Sequence, residues 1–143
     1  AGPGITPADV LAATETVHPC FEVVDSRIRD WKIAIEDTVA DNASSGLFVM
    51  GEGKSPEGVD FEGCKMVVRK NGSFLSEGLG KAALGSPLKA VAWLANTLGS
   101  FGVHLKAGEV ILSGSLVPLE PVVAGDHMHL SIEGIGATEV QFR

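Results

Sequence analysis

The stretch MVVRK-Asn71-Gly72-SFLSE constrains this chain more than any other. Asn-Gly takes the left-handed backbone of a tight two-residue turn, and strand-forming residues flank it on both sides. That pattern predicts a β-hairpin over residues 65–78, and so an antiparallel sheet. The hairpin carries charged flanks and no candidate site residue, which places it away from any active site. With 18 glycines and no tyrosine, turns should be many and strands short.

The other elements follow from local signals. Thr6-Pro7-Ala8-Asp9 reads as a helix start, with Thr6 as cap, Pro7 at the first helical position and Asp9 three residues on. Val10, Leu11, Thr14 and Val17 keep helical spacing until His18-Pro19, where the residue before proline disfavours the helix. Cys20 to Asp25 reads as a strand, with Cys20, Glu22 and Val24 on one face and Phe21, Val23 and Asp25 on the other. Residues 28–35 are ambiguous, residues 36–44 fit a short helix or a polar loop, and Leu47 to Met50 fits a short buried strand ending at Gly51. Residues 51–60 form an exposed loop. Ser86-Pro87 starts a second helix, with Val91, Leu94, Ala95 and Leu98 on one stripe and Gly99 at its end. Further strands are expected over Glu109 to Ser113, His127 to Ile132 and Thr138 to Phe142. The architecture predicted is α+β and mostly β: a mixed rolled sheet or sandwich with two short helices.

Composition narrows the class of protein. A length of 143 residues, 45% of them apolar, suits one domain over residues 1–143 with a genuine core. A net charge of −7 argues against nucleic-acid binding, which needs a surface of Lys and Arg. No apolar run approaches the length of a membrane span. The start AGPGITPADV lacks the basic and apolar blocks of a secretory leader. Cys20 and Cys64 form no metal-type pair and read as free thiols in a reducing, cytoplasmic compartment.

Residues 18–46 hold six acidic residues, Glu22, Asp25, Asp30, Glu36, Asp37 and Asp41, interleaved with apolar ones. A solvated charge run clusters its charges, whereas here the apolar residues would draw the carboxylates to the edge of a core, where each needs a partner or a metal. Glu22 shares its strand face with Cys20 and Val24. Two accounts of it stand side by side: an ion pair with Arg27 or Arg29, or a ligand in an oxygen-rich Mg²⁺ or Mn²⁺ site. Asp41-Asn42-Ala43-Ser44-Ser45-Gly46 is a cap or turn by composition, and in a functional reading a loop that grips a carboxylate or carbonyl. Ser113-Gly114-Ser115 lacks the pattern of a hydrolase elbow, so no serine nucleophile is expected. His127 and His129 alternate on one strand face without a third ligand at set spacing, and surface histidines are the plainer account. His18 and His104 stand alone and read as structural. Cys20 reads as a small buried hydrophobe rather than a nucleophile.

Taken together, HPCFEVVDSRIRDWKI, DTVADNASS, AALGSPLKAVAWLANTLG and AGEVILSGSLVPLEPVVAGD resemble the 2-oxopent-4-enoate hydratase family. That family lies within the fumarylacetoacetase-like fold group and includes 4-oxalocrotonate decarboxylases. The resemblance spans essentially the whole chain. It implies a divalent cation, Mg²⁺ or Mn²⁺, chelating the 2-oxo or 2-hydroxy acid end of a small dienoic acid. It implies addition of water to 2-hydroxypenta-2,4-dienoate, giving 4-hydroxy-2-oxopentanoate in the degradation of catechol ring-cleavage products. A homo-oligomer, and a pathway partner enzyme, belong to the same implication. Residue by residue, Glu22 matches a metal carboxylate, Asp41, Asn42 and Ser44 match the polar loop beside the metal, and Ser115 matches a hydroxyl facing the substrate, which it orients without attacking. These residues are expected around one cavity.

In one respect the sequence departs from the family. Family chains are nearly twice as long, and the Glu-x-Glu pair that supplies two further metal carboxylates precedes a segment like AGPGITPADV. No such pair, nor the lysine and acid that accompany it, is present here. Either the chain is part of a longer enzyme or the missing groups come from another chain. SGSLVPLEPV looks hydratase-like, the decarboxylase is the alternative within the family, and a non-catalytic fragment is the alternative outside it.

Overall fold

In a computed structural model that describes residues 3–143, the first element is helix α1 (Pro7–Ala13). Ala1 and Gly2, which open the segment weighed as a leader, lie outside the described residues. The cap is as the sequence predicts: Thr6 Oγ1 accepts from the Asp9 N–H at 3.2 Å, and Asp9 Oδ2 accepts from the Thr6 N–H at 2.8 Å. The helix stops at Ala13 rather than running to His18. Thr14 turns extended, and Val17 instead exchanges backbone hydrogen bonds with Lys54 at 2.8 and 2.9 Å.

Strand β1 (Cys20–Val24) is one residue shorter than predicted. After a single 3₁₀ turn at Arg29–Trp31 comes α2 (Ile35–Ala40), so the ambiguous segment holds a third helix. A second 3₁₀ turn, Asn42–Ser44, leads into β2 (Ser45–Met50). β1 and β2 form a two-stranded antiparallel sheet with Glu22 opposite Phe48 and a register shift between Val23 and Val24. The expected burial of β2 is not seen: Leu47 on one face and Phe48 and Met50 on the other are exposed, because the described residues cover neither face fully.

The hairpin forms β3 (Lys65–Lys70) and β4 (Ser73–Leu79), with Asn71 at φ +52° and Gly72 at φ +80° as the turn chemistry requires. Gly78, in β4, has no Cβ for a reason of space: an added Cβ would lie 1.9 Å from the Leu116 carbonyl oxygen. Helix α3 (Pro87–Ser100) follows, and its predicted stripe is half-buried. The chain then runs without regular structure to β5 (His127–Ile132) and β6 (Gly136–Gln141). The strand expected over Glu109 to Ser113 does not form. Its apolar residues have no described strand to pair with and instead line a cleft.

The second sheet has the order β4-β3-β5-β6. The α+β, mostly-β class holds, and every described strand pairing is antiparallel rather than mixed. Alternation puts Met66 and Val68 of β3, and Met128 and Leu130 of β5, on one face, where they form the buried core. Leu130 is 1% exposed, and burying such a side chain contributes about 1.5–3 kcal/mol. His127 and His129 take the opposite face, and His127 Nε2 lies 3.2 Å from Glu139 Oε2.

Asp126 ties the hairpin turn to the start of β5. It accepts from Lys70 Nζ at 2.8 Å, Asn71 Nδ2 at 2.9 Å and the Val123 N–H at 2.9 Å. The hydrogen bond from Lys70, followed by those from Asn71 and Val123, holds its carboxyl at about 2.

Candidate functional site

A cleft of about 1340 Å³ opens on the core face of the four-stranded sheet. Met66, Val68 and Leu130 belong to its floor, β1 and residues of α1 and α3 border it, and an unbroken run of residues, 104–122, makes one wall. Inner residues of the hairpin, Met66, Val68, Leu75 and Ser76, line it too, so one face of the hairpin is part of the cleft, whereas its outward residues and its Asn-Gly turn are not. The volume exceeds what a five- or six-carbon acid needs, and the lining is mostly apolar.

Of the residues that the resemblance assigns to the site, Glu22 and Ser115 border this cleft, as do His18, Cys20, Cys64 and His104, which read as structural. Glu22 is exposed, on β1. Ser115 sits in the wall, its Oγ donating to the Val117 carbonyl at 2.6 Å and accepting from the Val117 N–H at 3.3 Å. That local turn fixes the hydroxyl, and no base is hydrogen-bonded to it. Asp41, Asn42 and Ser44 do not line the cleft, which corrects the expectation of one shared cavity. They sit beyond the end of the β1–β2 ribbon at which Ser45 pairs with Val24.

Asp41 is buried and fully engaged. It accepts from Arg27 Nε at 2.5 Å, the Arg27 N–H at 3.2 Å, Ser44 Oγ at 3.0 Å and Ser26 Oγ at 3.3 Å. Burial alone would push its carboxyl up. The hydrogen bonds from Ser44 and Arg27, with the guanidinium charge, outweigh that and hold it below the ordinary carboxylate range. Arg27, one of the two partners weighed for Glu22, pairs with Asp41 instead, and neither Glu22 nor Arg29 makes an ion pair among the described residues. Arg27 is the residue that sequence reasoning missed in this role: a separation of 14 residues leaves no local signal.

Burial, reinforced by the charge of Glu22, raises the Cys20 thiol, and burial also raises Cys64. Both are free, and a raised thiol is a poor nucleophile. His18 has both ring nitrogens engaged, Nδ1 2.9 Å from the Gly51 carbonyl and Nε2 2.9 Å from Thr16 Oγ1. Among the described residues no three of His, Cys, Asp and Glu stand together as a metal site. Asp9, Glu15, Glu109 and Glu120 border the cleft besides Glu22, and no three of them stand together. These residues alone do not fit a bound divalent cation, which needs more oxygen ligands than one carboxylate supplies.

Known proteins resemble this chain in sequence and in fold. A 2-hydroxyhexa-2,4-dienoate hydratase from Comamonas testosteroni is 60% identical over 142 residues, 99% of this chain and 54% of that protein. A 2-hydroxypent-2,4-dienoate hydratase from Pseudomonas putida is 70% identical over 103 residues, 71% of this chain and 46% of that one. Among solved structures, 4-oxalocrotonate decarboxylase from Pseudomonas putida G7, complexed with magnesium and adipate, superposes with a TM-score of 0.93 at 40% identity, covering 99% of this chain and 54% of that one. The same decarboxylase complexed with calcium and acetate gives 0.90. The chain thus spans about half the length of the relatives it matches. With the family model for the fumarylacetoacetate (FAA) hydrolase C-terminal region matching residues 2–143, the chain belongs to that family.

Proposed function

We propose that this chain carries part of a 2-hydroxy-2,4-dienoate hydratase, an enzyme that adds water to a short conjugated acid. The observation that carries the reading is the identity of 60% over 142 residues to a hydratase, against 40% to the decarboxylase. The reaction places a water oxygen on C4 of the dienoate and leaves the C2 hydroxyl as a ketone, with protons moving to carbon. The cleft suits that substrate class: apolar side chains such as Met66, Val68 and Leu116 would pack the hydrocarbon and exclude bulk water. Ser115, its hydroxyl held by the Val117 backbone, orients substrate. Asp41, Asn42 and Ser44 act from the neighbouring loop at the end of the ribbon.

The Pseudomonas putida G7 decarboxylase is complexed with magnesium in one solved structure and with calcium in another. Bound there, such an ion withdraws electrons from the acid end of a substrate. In this chain Glu22 is our choice of ligand, and the remaining ligands must come from outside the described residues. Mg²⁺ or Mn²⁺ is the expected ion, since a carboxylate such as Glu22 suits a hard cation. A homo-oligomer and a cytoplasmic location complete the reading.

The test joins this chain to the remaining part of the Comamonas testosteroni hydratase and assays both reactions, beside the 143-residue chain alone. Loss of the dienoate chromophore with formation of 4-hydroxy-2-oxopentanoate is expected from the joined chain. Faster release of CO₂ from 2-oxo-3-hexenedioate would replace the hydratase by the decarboxylase. Turnover of neither substrate would favour a non-catalytic module. Calorimetric titration of Mg²⁺ should show weak binding to the chain alone and, in the joined chain, a loss of about 10- to 100-fold on Glu22→Gln. Tight binding by the chain alone would remove Glu22 from the role given to it.

A further inference from the structure

We propose that Arg27 is a positioning residue, whose guanidinium brackets the left-handed segment Asn42–Ser44 at both ends and so sets the shape of the loop that the hydratase reading brings to the substrate. Three successive non-glycine residues, Asn42, Ala43 and Ser44, have φ of +50°, +55° and +55°. L-residues avoid this region, and such a run persists only where its surroundings hold it.

The hold is visible in the hydrogen bonds. Before the segment, Arg27 Nε and Nη2 donate to Asp41 Oδ1 and to the Asp41 carbonyl, each at 2.5 Å. Beyond it, Nη1 donates to the Ser45 carbonyl at 2.8 Å and to the Asp25 carbonyl at 3.0 Å. One planar group therefore reaches across the run and onto the end of β1. Within the run, the Ser44 carbonyl accepts from the Asp25 N–H at 2.8 Å, and Ser44 Oγ donates to Asp41. The groups that grip face inward: Asp41 and Ser44 are buried, whereas Asn42 and Ala43 are exposed at the tip. The loop continues directly into β2, whose Phe48 lies opposite Glu22, so the loop and Glu22 share one ribbon.

The geometry also states what cannot replace Arg27. A lysine ammonium is a single point on a flexible stem and does not span acceptors on both sides of the segment. This separates the proposal from a simple charge pair with Asp41, which lysine would keep.

The role rests on the hydratase reading, and the two are tested apart. In the 143-residue chain, Arg27→Lys and Arg27→Ala should speed amide exchange at Ser44 and Ser45 and leave the β3 and β5 amides protected. Unchanged exchange at the loop, or loss of protection across the four-stranded sheet, would overturn the clamp. In the joined enzyme, both substitutions should lower kcat/KM, by up to about 100-fold if the loop is displaced by an ångström or so. Ethylguanidinium should restore kcat/KM of Arg27→Ala in part. A loosened loop with unchanged kcat/KM would overturn the role toward substrate while leaving the hydratase reading in place. A joined parent without turnover would overturn that reading and, with it, the role toward substrate, and the exchange measurement would still decide the clamp.

Discussion

Gly78→Ala isolates the consequence of the wall's closest approach to the sheet. An alanine Cβ would sit 1.9 Å from the Leu116 carbonyl oxygen and 2.9 Å from its carbonyl carbon, both backbone atoms that no rotamer change can move. An ordinary contact begins near 3.4 Å, so the Leu116 backbone must retreat by about 1.5 Å. Overpacking of this kind costs about 1–3 kcal/mol. Gly78 lies in a strand and has no left-handed φ. Alanine therefore recovers about 0.4–1 kcal/mol by restricting the unfolded chain, leaving a net loss of about 1.3 kcal/mol at mid-range and about 2.6 kcal/mol at most. For a chain of this length that lowers the melting temperature by about 3–8 °C. Thermal unfolding followed by circular dichroism measures it. Gly72→Ala is the control, since its Cβ would meet nothing within 4 Å while its φ of +80° is the obstacle. The Gly78 variant should further perturb the Ser115 turn, one residue from Leu116, and the Gly72 variant should not. A Gly78→Ala protein that melts at or above the parent, with Ser115 unmoved, would refute the steric argument.

Leu130→Ala should lose about 2–5 kcal/mol, because the side chain is 1% exposed within the Met66, Val68 and Met128 cluster; urea titration reads the loss. Replacing Asn71-Gly72 by Ala-Ala should destabilise by on the order of 1 kcal/mol or more, since both positions require positive φ. The Asp126 carboxyl is depressed from 3.8 to about 2, so the stability it contributes is full above 3.8 and disappears as pH falls through 2. Asp41 is depressed too. Acid unfolding should therefore steepen below pH 3.8, and Asp126→Asn should flatten that segment of the curve. Mass spectrometry after turnover should find no covalent adduct on Ser115, and Ser115→Ala should slow the joined enzyme without unfolding it.

Local rules were legible wherever one side chain decides one backbone angle. Asn71-Gly72 gave its turn, and the Thr6–Asp9 box gave its helix start. Where the deciding partner is distant in sequence, the reading failed. The helix after Ala13 ends because Val17 pairs with Lys54, 37 residues on. Residues 109–113 have strand composition but no strand to join. Leu47–Met50 has the apolar run of a buried strand, yet burial belongs to whatever packs on it. The site divides the same way. Strand β1 was legible, but all its residues border the cleft and Glu22 is exposed, and nothing local in the sequence says that Arg27 belongs to Asp41, or that Asp41, Asn42 and Ser44 stay out of the cleft lining.

The unpaired wall has a consequence for how such chains diverge. Two backbone carbonyls dock residues 104–122 to the hairpin: Leu116 in the space above Gly78, and Pro121, which accepts from Lys70 Nζ at 2.9 Å. Ahead of Leu116 the wall takes part in no strand register, and lengthening such a segment is cheap, about 0.6 kcal/mol per doubling. Insertions or deletions at Lys106–Gly108 can thus deepen or narrow the cleft while each strand pair keeps its alignment. In this architecture the dimensions of the binding space are heritable separately from the scaffold that encloses it.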